Sequence, residues 1–146
     1  GGGAMIVVAS TQTTDATLAT PTAIAGLSFP VLANLTYMMH CYIASTSATA
    51  TTGIRYSVTG PASPTAVAFS VKTFSAAATS VQEAFAAFAF TSAATASVLT
   101  TEQLNEVHMR LRNGVNAGTV ALTINPEADT SVTAEIGSFC EVVTRQ

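Results

Sequence analysis

With 146 residues, the chain is long enough for one domain with a real core and too short for two ordinary ones. Apolar residues make up 49% and charged residues 9%, against about a quarter charged in an average soluble domain, so Thr and Ser cover the surface and spare apolar area points to a contact partner. The net charge of −3, with five cations scattered as Arg55, Lys72, Arg110, Arg112 and Arg145, offers no phosphate-binding patch, which argues against nucleic acid as a partner. No apolar run approaches the ~20 residues of a membrane helix and no basic stretch precedes an apolar one, so neither membrane insertion nor a signal peptide is expected.

Residues 1–4, Gly-Gly-Gly-Ala, read as the remnant of an expression tag, which leaves 5–146 as a single domain. The dominant period beyond them is two, the mark of strands with one buried face. Ile6, Val7 and Val8 open the first apolar run. Leu18, Ile24, Leu27 and Phe29 follow, in a region that Pro21 and Pro30 confine to edge strands or loops. Tyr37, Met39, Cys41 and Ile43 then alternate on one face, while Met38 and Tyr42 make the other face partly apolar. A strand apolar on both sides is covered on both sides, and in an all-β chain the second cover could be another subunit.

Ile54, Tyr56 and Val58 form a half-buried strand, and Gly60, Pro61 and Pro64 punctuate the turn before the alternation of Val67, Phe69, Val71 and Thr73. Two segments carry helical spacing as well. Val81, Phe85 and Phe88 are one; the other is Thr100 to Arg112, where Thr100 and Gln103 resemble a capping box. Unbroken polar–apolar alternation from Glu106 to Arg112 favours a strand, with a short helical turn over Thr101 to Leu104. Asn113, Gly114, Asn116 and Gly118 suit a hairpin between Val107–Leu111 and Val120–Ile124, and Ser138 to Val143 forms the last strand. About eight short strands with Gly and Pro turns indicate an all-β, antiparallel two-sheet sandwich, jelly-roll-like.

Chemistry is sparsely supplied. His40 and His108 are the two imidazoles, both at outward strand positions, and no zinc-ligand spacing surrounds them. No G-x-S-x-G elbow accompanies the serines. The eight carboxylates fall in loops or on polar strand faces, and with no Trp and three Tyr an aromatic platform for sugars is lacking. No catalytic, cofactor or metal residue is expected, and the chain is read as a non-enzyme. Asn34-Leu35-Thr36 fits a glycosylation triplet by coincidence. Cys41 and Cys140 could form at most one disulfide, but each lies in an apolar strand pattern where a buried free thiol is the commoner state, so two reduced core cysteines are expected.

The order of segments adds one resemblance. Leu27 to Val31 leading into Tyr37 to Ile43, then Thr51 to Ala62, Asn113 to Gly118, Gly118 to Leu122 and Gly137 to Phe139 together resemble small bacteriophage structural proteins. The resemblance implies a virion component, a capsid decoration or a tail or fibre part. It also implies a jelly roll similar to tumour-necrosis-factor and complement C1q heads, hence a homotrimer that contacts other virion proteins. No functional residue carries over with it. The candidate oligomer interface comprises Met38, Tyr42, Phe85, Phe88 and Phe90. The alternative function is a receptor- or glycan-binding module of a tail fibre, using loops Ser45 to Thr52 or Ala76 to Ser80 on a host surface glycan.

Overall fold

The computed structural model describes residues 2–74, 80–88 and 100–145. Within them every regular element is a strand: β1 (Gly2–Val8), β2 (Thr13–Asp15), β3 (Thr22–Val31), β4 (Thr36–Ser47), β5 (Ile54–Thr59), β6 (Ala66–Phe74), β7 (Ser80–Phe85), β8 (Gln103–Arg112), β9 (Gly118–Pro126), β10 (Val132–Ala134) and β11 (Phe139–Arg145). The larger sheet runs β1-β11-β4-β8-β6-β7, and the smaller runs β3-β9-β5. All pairings are antiparallel. β10 and β2 continue the lines of β11 and β1, so that β4 has β11 and then β10 along one side. With those two continuations joined, the chain alternates between sheets in jelly-roll order, except that β6 pairs with β8 in the larger sheet and leaves β5 at the rim of the smaller one.

The period-two pattern decides which side chains meet between the sheets. Tyr37, Met39, Cys41 and Ile43 of β4, with Val107, Met109 and Leu111 of β8, face Leu27, Phe29, Tyr56, Val58, Leu122 and Ile124 of the smaller sheet, all buried. Each such aliphatic or aromatic side chain contributes about 1.5–3 kcal/mol on burial. Pro30 lies on β3, an edge strand, where its missing N–H costs no central ladder bond.

Three sequence expectations are corrected. The helical turn over Thr101 to Leu104 is absent: Gln103 and Leu104 already belong to β8, opposite Ser45 and Ala44, because the alternation extends back to Gln103, which is buried and donates to Asn105 Oδ1 at 3.1 Å. The segment Asn113 to Gly118 is no hairpin. β8 and β9 lie in different sheets, and the connection is tied to other loops through Asn34 N donating to Gly114 O, Asn113 Nδ2 to Leu32 O and Asn116 Nδ2 to Ala62 O. The cysteines are not free. Cys41 and Cys140 stand in register across β4 and β11 and are joined as a disulfide. Of the two segments with helical spacing, the one holding Val81 and Phe85 is the strand β7, in keeping with a chain that is nearly all strand. Gly2, Gly3 and Ala4, read as tag, pair with Arg145, Thr144 and Val143.

Gly26 adopts φ +90°, at the register shift between Ala23 and Ser28 where β3 bulges. Its missing Cβ lets the backbone of β3 approach Ser10 N, which donates to Ala25 O at 3.0 Å.

Candidate functional site

Because successive side chains alternate, the larger sheet turns a whole face away from the smaller one. β4 presents Met38, His40 and Tyr42 there, β8 presents Leu104, Glu106, His108 and Arg110, and β11 presents Phe139, Glu141 and Val143. β1 adds Ile6 and Val8, opposite Glu141 and Phe139. Several of these are apolar and open to solvent: Ile6 is 65% exposed, Leu104 68%, Met38 41% and Tyr42 38%. Phe139 packs on Tyr42 with ring centroids 5.3 Å apart. Tyr42, Ala44, Leu104, Ile136 and Phe139 line an apolar depression of about 460 Å3 at one side of the face.

At the centre His40 and His108 are paired across β4 and β8, stacked with centroids 4.5 Å apart and planes 20° from parallel. Glu106 Oε1 approaches His108 Nε2 at 3.6 Å, and Glu106 Oε2 is 3.9 Å from Lys72 Nζ. Ser70 stands opposite His108 on β6, but no hydrogen bond joins it to either imidazole among the described residues. Met38, His40, Ser70, Ala84, His108 and Arg110 are among the residues around a second, shallow depression of about 260 Å3.

The five candidate interface residues do not form one patch. Met38 and Tyr42 share the open face. Phe85 stacks on the buried Phe69 at 4.9 Å, and Phe88 packs against the core margin with its ring over Gly60. Phe90 lies outside the described residues, as do residues 76–79 of the proposed loop Ala76 to Ser80. Sequence reasoning missed Ile6, Val8, Leu104, Phe139 and Val143 as members of the face. Their parity opposite the buried Cys140, Val142 and Asn105 was the available signal.

A polar cluster inside the sandwich was also missed. Tyr56 and Ser45 share a hydrogen bond of 2.5 Å, and Asn105 Nδ2 donates to both, at 2.8 and 2.6 Å. Ser45 and Asn105 fall on the inward parity of their strands, where a small polar residue signals a buried network. Burial pushes the Tyr56 phenol up to about 12, against the pull of its hydrogen bonds from Ser45 and Asn105.

No protein-family model matches the chain, and no curated protein matches it. Among solved structures the matches are distant ones. A Clostridium thermocellum endo-1,4-beta-D-xylanase 10B structure, of CBM22-1-GH10 modules complexed with xylohexaose, matches 80% of this chain and 18% of that one, at 11% identity and TM-score 0.35. The structure of infectious bursal disease virus strain Gx matches 99% of this chain and 36% of that one, at 9% identity and TM-score 0.32. The T13 particle of the same virus matches 98% and 38%, at 12% identity and TM-score 0.32. The chain thus spans well under half the length of these neighbours.

Proposed function

We propose that the chain is a non-enzymatic structural component of a bacteriophage particle, decorating the capsid or belonging to the tail, and that it acts as a homotrimer joined through the open face of its larger sheet. The observation that carries the self-association is the apolar set Ile6, Val8, Met38, Tyr42, Leu104 and Val143 on a face no part of the described chain covers. Burying several hundred Å2 of it per subunit would contribute on the order of 10 kcal/mol at ~25 cal/mol per Å2, before the cost of association. The phage assignment is supported by the segment order from Leu27 to Phe139, and the trimer by the tumour-necrosis-factor-like resemblance. A part that binds only the assembled lattice stabilises it by mass action, which is work for a rigid sandwich and requires no reaction.

The shallow depression beside His40, Ser70, His108 and Arg110 favours a second reading, a receptor- or glycan-binding module, since it sets hydrogen-bonding groups on a stiff floor. Gradient-purified phage particles separate the readings from an unrelated role. Mass spectrometry is expected to find the chain at fixed stoichiometry in the particle, and its absence from particles would overturn the proposal. Saturable binding on a glycan array would favour the second reading.

A further inference from the structure

The strand register sorts the charges by position along the strands. Thr36, at the start of β4, lies between Arg145 of β11 and Arg112 of β8, and Arg110 stands opposite Met38 one outward position further in. At ~4.8 Å per strand and ~3.3 Å per residue, the three exposed arginines sit within roughly 12 Å of one another on the open face. No ion pair engages any of them among the described residues. The loops at this end, 32–35, 60–65 and 113–117, contain no carboxylate. The expectation of scattered cations is therefore corrected: three of the five gather at one pole.

The opposite end, where β4 reaches Ser47, carries the reverse sign. Asp15 pairs in register with Val132, itself opposite Ser47. Glu127 accepts from Gly53 N and Asp129 from Leu18 N in the neighbouring loops. Glu102 precedes β8 beside the same end, and Glu135 accepts from Thr46 Oγ1. Arg55 of β5 is the one cation there among the described residues. Arg112 ends β8 and Glu102 immediately precedes it, so at ~3.3 Å per residue the poles lie about 33 Å apart. That is several times the ~8 Å screening length at physiological salt, and the two poles do not neutralise each other within one molecule.

From this we infer that the chain stacks head to tail, the basic pole of Arg112 and Arg145, at the strand ends beyond the Met38 seam, docking on the acidic pole of a second copy around Glu102, Glu127 and Asp129. The contact is heterologous, so it propagates along the strand direction instead of closing a pair. The inference rests on the self-association reading only in bringing copies together on one particle, for Met38 and Tyr42 take no part in it. In a parallel trimer the three basic poles would face the three acidic poles of the next ring.

Two charge-reversed variants test it by sedimentation velocity: Arg112→Glu with Arg145→Glu, and Glu102→Lys with Asp129→Lys, with Arg→Gln versions as controls should the reversals unfold. Wild-type stacking is expected to weaken at least about tenfold between low and high salt. Each reversed variant alone is expected to lose it, and their equimolar mixture to regain it. A mixture that fails to associate, or wild-type chain that binds a heparin-like polyanion through the arginines without salt-sensitive self-association, would overturn the inference. Ser at Met38 and Tyr42 should leave the stacking intact, which keeps its failure distinct from failure of the open-face contact.

Discussion

Cys41 and Cys140 face each other across the β4–β11 ladder with Cα atoms 4.0 Å apart, closed as a disulfide that spans a sequence separation of 99 residues. The bond ties the strand at the middle of the larger sheet to the last strand of the chain. A cross-link over so long a loop restricts the unfolded chain by about 3–5 kcal/mol in the chain-entropy account. Replacing both cysteines with Ala is therefore expected to lower unfolding stability by at least that amount, the deleted core sulfurs adding to it. Urea titrations with and without reductant check this, and equal midpoints for the oxidised and reduced wild type would contradict it.

Tyr56 gives the sandwich an alkaline limit. Its phenol is neutral in the folded chain up to about 12, against ~10 when unfolded. The folded state then holds a proton that the unfolded state releases. The stability this contributes is fully present below pH ~10 and is lost as pH rises towards 12, at about 1.4 kcal/mol per pH unit. Tyr56→Phe, which gives up the Ser45 and Asn105 hydrogen bonds, should be less stable at neutral pH by about 1–2 kcal/mol. The gap should close between pH 10 and 12. A gap that stays constant in chemical denaturation across that window contradicts the argument.

Gly26 makes a local prediction. At φ +90°, with the backbone of Val8 in β1 and of Ser10 where a side chain would sit, Gly26→Ala must strain the bulge and push β3 from the first strand. A loss of about 2–3 kcal/mol is expected by thermal unfolding, while Gly3→Ala, with nothing near its Cβ position, should be close to neutral.

The open face is separable from the core. Met38→Ser combined with Tyr42→Ser removes exposed apolar area and alters no residue of the buried core, so the melting temperature of the sandwich should change little. The mass in solution should fall. Unfolding without prior dissociation would show that the two residues support the fold instead.

Much of the sandwich was legible because one physical rule, alternation, governs it. Tyr37, Met39, Cys41 and Ile43 are buried for the reason their spacing indicates, and His40 and His108 point outward as their parity requires. What alternation does not carry is register and sheet membership. Cys140 meets Cys41 only because β11 lies beside β4, a pairing between strands 99 residues apart. The arginine cluster is hidden for the same reason. Asn113 to Gly118 has turn chemistry, but local residues do not specify whether a turn returns within one sheet or crosses to the other. Phe85 and Phe88 read from sequence as candidate interface residues, since spacing alone does not say which sheet they join. β6 and β7 extend the larger sheet, and both rings cover its margin.

Association through the open face sets the mass of the chain in solution, which light scattering at micromolar concentration reads. At a salt level high enough to screen the poles, the account predicts a mass about three times the 14.8 kDa of one chain. A dimer would remove the trimer inference and spare the interface, whereas a mass of 14.8 kDa, unchanged as concentration rises, would contradict the account.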